Sequence, residues 1–321
     1  MLKRRDIALL LGAGGLAAIG PARAQQAYPS RSVQLIVPYA AGGPTDIFAR
    51  AISAPLSGLW KQPVVVDNRP GGGTMIGAAA ASQAAPDGYT LLLTAFGFVM
   101  NPLMMRDLTF DPKAMVPIAQ IGVSIGVLYV RKDLPADNLQ EFIAFAKKQR
   151  GGVSFGSSGV GSSTHTAAEM LASQAGFEMT HIPYRGSAPA ITDLMAGNVD
   201  AVFDTAGTMG FVREGRLKVL ASGRATRGPD MPDVPTFRES GVPMDSETWY
   251  GFLGPKGLPT ALRDRIAEDV RAAVSDPATQ EKLTRGGLEP RYSGPADFAA
   301  KLDSEREIWG RLVKERNLRL D

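Results

Sequence analysis

VQLIVPYAAGGPTDIFAR, residues 33–50, joins two kinds of periodicity. Val33–Val37 is an apolar β-type run that stops at Pro38, and helical spacing of apolar residues begins at Ile47. The connection, Tyr39, Ala40, Ala41, Gly42, Gly43, Pro44, Thr45 and Asp46, carries little side chain. Glycines stand where the backbone bends unusually or where something approaches it closely. A helix opening near Thr45 or Asp46 turns unpaired N–H groups and the positive end of its dipole toward this turn, where a carboxylate or phosphate could lie on backbone amides. The turn has neither G-x-G-x-x-G nor a following Lys-Ser/Thr, so dinucleotide and P-loop readings fail. Taken alone, it reads first as a tight strand-to-helix connection capped by Thr45.

The same alternation continues outward. A helix over about 45–60 contains Pro55 and should bend there. PVVVDN (63–68) reads as a strand, GTMIGAAAASQAA (73–85) as a small-residue helix, and YTLLLT (89–94) as a strand. Near-continuous apolar runs suit strands buried on both faces of a largely parallel sheet, and helix–strand alternation is the α/β signature. A second series begins with IGVLYV (125–130). LPADNLQEFIAFAKKQRGG follows, a helix with Asp137 or Asn138 as cap, then VSFGSS, a helix over about 163–174, MTHIP, APAITDLMAG, VDAVFD (199–204) and LKVLAS (217–222). WYGFLGPKG is extended, and 259–320 reads as mostly amphipathic helix. Two series in tandem predict two lobes, at 25–122 plus 251–321 and at 123–250. The cleft is expected outside the carboxyl ends of the strands.

Composition narrows the function. The chain has 321 residues, 44% of them hydrophobic, no cysteine and two histidines. Its formal charge of +3 arises at the start: Lys3, Arg4, Arg5 and Arg23 against Asp6. Without them 31 basic and 31 acidic residues remain of the 35 and 32, which leaves no basic footprint for nucleic acid. A charged start, the apolar stretch IALLLGAGGLAAIG and Ala22-Arg23-Ala24 predict a cleavable signal peptide over 1–24. Export to the periplasm is then expected, by the general route or, given Arg4-Arg5, the twin-arginine one.

Two further turns repeat the layout of the first. VSFGSSGVGSSTHTAAEM (153–170) places Ser157, Ser158, Gly159, Ser162, Ser163 and Thr164 between a strand end and a helix start, followed by His165. No serine here has glycine two places away on both sides, so the hydrolase elbow is absent. HIPYRGSAPAITD (181–193) brings Tyr184, Arg185 and Gly186, and Arg185 is either a carboxylate fork or a surface residue. Asp204, ending VDAVFD, receives a donor from a ligand or caps the next helix. In TAFGFVMNP (94–102), Thr94, Ala95 and Phe96 follow a strand, and Phe96 or Phe98 could face the apolar part of a ligand. Without cysteine and without a ligand-spaced cluster, no metal or cofactor is expected. Three glycine- and serine-rich turns before helix starts, with no nucleophile–base set, point to anion binding between lobes.

YPSRSVQLIVPYAAGGPTDIFAR, VVVDNRPGGGTMIGA, AAPDGYTLLL, NP…DLTFDP, SFGSSGVGSSTH and PYRGSAPAITDLMAGNVDAVFD, in this order, resemble the Bug family of solute-binding receptors of tripartite tricarboxylate transporters. The resemblance runs over nearly all of the mature chain. It implies an α/β, two-lobe periplasmic-binding-protein fold of the type 2 kind, closing about a hinged cleft. It implies a ligand carboxylate held largely by main-chain amides and waters, with contacts at positions 39–46, 94–97, 157–165 and 184–186 and at Asp204. The expected function is capture of a small organic carboxylate, a di- or tricarboxylate or a carboxylate-bearing amino acid or aromatic acid. A monomeric receptor would deliver it to membrane permease subunits. Met104-Met105 stands where members often carry Leu-Tyr, a departure that bears on rim packing. The competing readings are an enzyme on a small anion using His165 or Ser163, and a sensing receptor without transport.

Overall fold

From β1 (Val33–Val37) the chain enters α1 (Pro44–Trp60), β2 (Val64–Asn68), α2 (Met75–Ser82), β3 (Thr90–Ala95), α3 (Gly97–Met104) and β4 (Val116–Ile125). A second series follows: β5 (Val127–Arg131), α4 (Leu139–Ala146), β6 (Val153–Ser157), α5 (Ser163–Ala175), β7 (Met179–Pro183), α6 (Ser187–Ala196), β8 (Ala201–Asp204), α7 (Met209–Arg213) and β9 (Leu217–Ser222). Then come β10 (Glu247–Gly254), α8 (Thr260–Ser275), α9 (Pro277–Arg285), β11 (Glu289–Ser293) and α10 (Pro295–Glu315). This computed structural model describes residues 28–319 other than 107, 109, 185 and 316, so the expected leader and Arg185 lie outside the described residues.

The elements form two sheets, ordered β11-β4-β10-β3-β1-β2 and β7-β6-β8-β5-β9. Neither is largely parallel. β1 pairs in parallel with β2 and β3, and β6 with β7 and β8, but β10, β4 and β11, like β5 and β9, join antiparallel. Apolar runs report burial and not direction, so the sequence pattern could not distinguish them. Pro55 does not end α1, because Phe48, Ala49, Ile52, Leu56 and Trp60 hold one face of the helix in the core. The expected strand 125–130 is divided at Gly126, with Ile125 closing β4 and Val127 opening β5. β11 was hidden within the stretch read as helix. Its Pro290 suits its place at a sheet edge, and Gly122 of β4 admits it closely, since a Cβ there would lie 2.5 Å from the Glu289 carbonyl.

The chain passes between the sheets at Gly126, after Ser222 and before Glu247. These crossings bind one another through their backbones: Gly126 N–H donates to Ser246 O (2.7 Å), Gly223 N–H to Gly126 O (2.8 Å), and Ser246 N–H to Gly223 O (3.0 Å). The two glycines permit this approach. A Cβ on Gly126 would stand 2.2 Å from Ser246 Oγ, and one on Gly223 would stand 2.5 Å from Ser246 Cβ.

β10 is anchored from behind by α10. Trp249 is fully buried, lies edge-on to Phe298 and donates its indole N–H to Glu305 Oε2 (2.6 Å), while Lys301 Nζ lies 3.8 Å from the other oxygen. Burial pushes the Glu305 carboxyl up to about 7, against the pull of Lys301 and the Trp249 bond. A folded-state pKa above the unfolded value of about 4.5 means the folded chain binds the extra proton between the two. Stability from this group is therefore full below about pH 4.5 and is lost as pH rises through about 7, by roughly 1–3 kcal/mol. Glu305→Gln keeps an acceptor for the indole and cannot ionise. It should raise the melting temperature at about pH 8, with the gain vanishing near pH 4.5. An equal shift at both pH values would contradict this account.

Candidate functional site

A cavity of about 280 Å³ lies where the carboxyl ends of β1, β3 and β6 meet β10. Tyr39, Pro44, Thr45, Ala95, Phe96, Gly97 and Asn101 line it from the first sheet's loops, Ser158, Gly159, Val160, Gly161, Ser162 and Ser163 from the second's, and Thr248 and Tyr250 from β10. Eight of the residues expected from sequence are thus brought to one surface: Tyr39, Thr45, Ala95, Phe96, Ser158, Gly159, Ser162 and Ser163. Among the described residues, none of the lining side chains is an acid, a histidine, a lysine or an arginine.

The two sides of the cavity are not alike. α1 and α3 both begin at it, and neither start carries a side-chain cap, although the Tyr39 hydroxyl already engages the Gly97 amide at α3 and Pro44 at the start of α1 has no N–H to offer. Gly42, with φ +81°, makes the turn before α1, and its N–H is fixed by Asp46 Oδ2 (2.8 Å). Asp46 is buried and shared with Arg50. Burial opposes its ionisation, but the Arg50 guanidinium and the Gly42 amide outweigh it and hold the carboxyl below its usual range. Asp46 therefore shapes the turn. Ala40, Ala41, Gly42 and Gly43 form the turn's backbone outside the lining itself. Thr94 lies buried behind Tyr39.

The second-lobe loop spends many of its own donors. Ser158 N–H goes to Thr164 Oγ1 (2.9 Å), Gly159 N–H to Ser157 Oγ (3.1 Å), Gly161 N–H to His165 Nδ1 (3.2 Å) and Ser162 N–H to Gly159 O (3.2 Å). Ser162 Oγ caps α5 by accepting from His165 N–H (3.2 Å). Ser157, Thr164 and His165 build the loop from behind and do not line the cavity. Tyr184 and Gly186 also stand away from the lining. The Tyr184 hydroxyl donates to Asp193 Oδ2 (2.7 Å), and Gly186 precedes α6 with φ +112°. Asp204 is outside the lining too and accepts from the Thr208 hydroxyl, while burial raises its pKa.

Pro44, Gly97, Val160 and Gly161 fall within the stretches expected to contact the ligand, and Asn101 within 94–102, but Thr248 and Tyr250 were not expected. They have no local signal, because antiparallel pairing of β10 brings them there, Tyr250 against Ala95 of β3 and Thr248 against Ser124 of β4. Asn101 Nδ2 donates to Gly73 O (2.6 Å), which orients the amide, and its Oδ1 is buried without a hydrogen-bond partner. That oxygen faces Gly161 of the other side. A Cβ on Gly161 would stand 2.5 Å from both Asn101 Oδ1 and Met104 Cε, and Gly161 has φ +73°. Met104, one of the two methionines that depart from the resembled pattern, is therefore part of the contact between the lobes, fully buried beside Met100 and Val313.

Among the described residues no group of three or more potential metal-ligating side chains occurs. Both histidines are engaged behind the loop, away from Ser163.

Residues 48–318 match the model of the tripartite tricarboxylate transporter family receptor. The chain belongs to this family. It is 32% identical to the protein BugT of Bordetella pertussis, over 98% of this chain and 97% of that one. Among solved structures it resembles Rpa4515 of R. palustris with adipate (30% identical, TM-score 0.79, 91% of this chain and 99% of that). It also resembles MatC from Rhodopseudomonas palustris with bound malate (28% identical, TM-score 0.76, 89% and 100%). The fold is the two-lobe periplasmic-binding-protein fold, with the family receptor's cleft between two α/β lobes.

Gly161→Ala places a methyl group in the contact between α3 and the second-lobe loop. Overpacking of this kind costs about 1–3 kcal/mol, and here it should hold the lobes apart. Small-angle scattering should give a larger radius of gyration than for the parent protein. An unchanged value, with the fold intact by circular dichroism, would show that this contact does not limit closure.

Proposed function

We propose that the protein is an exported receptor that captures a small organic carboxylate in this cleft. It closes its lobes over the ligand and delivers it to the permease subunits of a tripartite tricarboxylate transporter. The observation that carries the reading is the uncapped starts of α1 and α3 at one uncharged, hydroxyl-rich cavity, faced from the other lobe by the 158–163 loop. An anion there neutralises helix dipoles and pairs amides that otherwise need water. The carboxylate-bound relatives support the ligand class. We place the site at the lining residues, with Asp46, Thr94, Ser157, Thr164 and His165 as supports. We read the two lobes expected at 25–122 plus 251–321 and 123–250 as divided instead at the crossings by Gly126, Gly223 and Ser246, since β4 and β10 belong whole to the first sheet, and as moving about the knot there.

The protein is read as a binding protein and not an enzyme because its family is one of receptors; among the described residues, His165 is an acceptor for Gly161 and lies buried. Acting as a monomer in the periplasm after loss of residues 1–24 completes the proposal. Ligands with two anionic ends, one at each uncapped helix start, suit the geometry best.

A thermal-shift screen of the mature protein against organic acids tests this directly. A ligand at a hundred times its Kd stabilises the folded state by about 2.7 kcal/mol, several degrees for a chain of this size. At least one di- or tricarboxylate should produce such a shift, and its monoamide should bind about tenfold or more weakly. Shifts produced only by cationic or neutral metabolites would remove the basis of the proposal.

A further inference from the structure

His165 and His181 are the only histidines in the chain, and they are stacked, ring centroids 3.8 Å apart and 14° from parallel. His165 comes from the first turn of α5 and His181 from β7. Each is tied to the second-lobe loop. His165 Nδ1 accepts the Gly161 N–H (3.2 Å), which puts its own proton on Nε2, facing Glu169 Oε1 at 3.5 Å. His181 Nε2 lies 2.6 Å from Ser157 Oγ, and that oxygen also receives the Gly159 N–H (3.1 Å). The stacked pair thus supports the loop at Gly159 and at Gly161, and Gly161 is the residue that meets Asn101 and Met104 across the cleft.

We propose that this imidazole pair is a positioning device for the second-lobe loop that works only while His165 is uncharged. A neutral imidazole offers one acceptor, whereas its cation has two donors and none. A proton on His165 Nδ1 would face the Gly161 N–H donor to donor, and Gly161 would have to leave. The groups facing the pair are each other and Glu169 of α5. Glu169 favours a charge on His181, while burial and the neighbouring ring oppose it. For His181 the opposing effects win: burial first, then the charge on His165, push it down to about 4. Between the unfolded value of about 6.5 and about 4 the unfolded chain binds a proton that folded His181 refuses. The neutral arrangement is therefore fully stable above about pH 6.5 and weakens as pH falls through this window.

The inference rests on the proposed function only for its consequence, since a misplaced Gly161 would alter closure over the ligand. Ligand affinity is a poor readout, because a buried positive charge behind the loop would itself attract an anion. The test therefore uses the full-length mature protein without ligand, labelled with ¹⁵N. Hydrogen-exchange protection of the Gly161 amide and the ring signals of both histidines are followed from about pH 7.5 to about pH 4. Protection, corrected for intrinsic exchange, should fall about tenfold or more in step with titration of His165. In His165→Asn, whose Oδ1 stands where Nδ1 stood and does not titrate, protection should be independent of pH. Three results would overturn the inference: Gly161 protection unchanged while His165 titrates, both rings neutral with the loop unaltered down to pH 4, or the same pH dependence in His165→Asn.

Discussion

Three peptide groups, those of Gly126, Gly223 and Ser246, bind one another where the chain passes between its two sheets, and the architecture turns on that knot. Side chains at positions 126 and 223 would drive these segments apart, because both places where a Cβ would go are already filled by Ser246. The result is a passage of backbone between two bodies that each have a core, with a further buried cluster, including Leu92, Val123 and Trp249 of one and Tyr129 and Val202 of the other, running across both. Phe48, Ile52, Leu56 and Phe252 fill one, and Phe142, Phe155, Phe203 and Phe237 fill the other. Close-packed cores resist deformation, so motion concentrates in the few residues between them. The cleft lies beside this passage, and a small rotation there changes the distance between α3 and the second-lobe loop.

Among the described residues the cavity lining carries no charged side chain, which bears on how those residues could hold an anion. An arginine fork recognises one carboxylate geometry and must itself be desolvated. Helix starts offer partial charges fixed by the backbone, which need no rearrangement and tolerate ligands of different shape. Selectivity must then come from the neutral remainder of the wall: Phe96, Val160 and Tyr250 as apolar surface, and Thr45, Ser163 and Thr248 as polar. The two sides also divide the work. In the first lobe the helix starts are left uncapped, whereas the second lobe satisfies Ser158, Gly159, Gly161 and Ser162 internally. The latter is shaped by its own hydrogen bonds and meets a first-lobe surface whose two helix starts carry no side-chain cap.

Much of this was legible in the sequence, and the exceptions have a common origin. Val33–Val37, Leu217–Ser222 and the helix through Pro55 were readable because apolar periodicity and turn chemistry are local. The turns at Tyr39–Thr45, Ala95–Phe96 and Ser158–Ser163 were readable because glycine and serine before a helix start have a local physical meaning. What failed was whatever required knowledge of the partner. The antiparallel direction of β4, β5 and β10 depends on how the chain crosses between sheets. Tyr250 reaches the cavity through pairing with Ala95, on a strand about 150 residues earlier, and Thr248 through pairing with Ser124 of β4. Asp46, Asp204, Thr164 and His165 have the composition expected at a binding site, yet their polar atoms serve backbone donors or neighbouring hydroxyls of the turns themselves. A residue type suited to bind a ligand is equally suited to bind a turn, and burial decides between the two.

Asn101 shows why closure and ligand capture are coupled in this design. Its Nδ2 is committed to Gly73 O, so its Oδ1 cannot be exchanged for a donor by turning the amide. With the lobes in contact the oxygen is sealed against Gly161 and left unpaired. With the lobes apart, water can reach it. Sealing a buried acceptor costs about 1–3 kcal/mol, so contact between the lobes carries a penalty that an empty cleft does not offset. A ligand bridging both walls supplies the difference, and the closed state is populated when it is present. On the proposed function, the unpaired oxygen favours the open, ligand-free state, which suits release of the ligand.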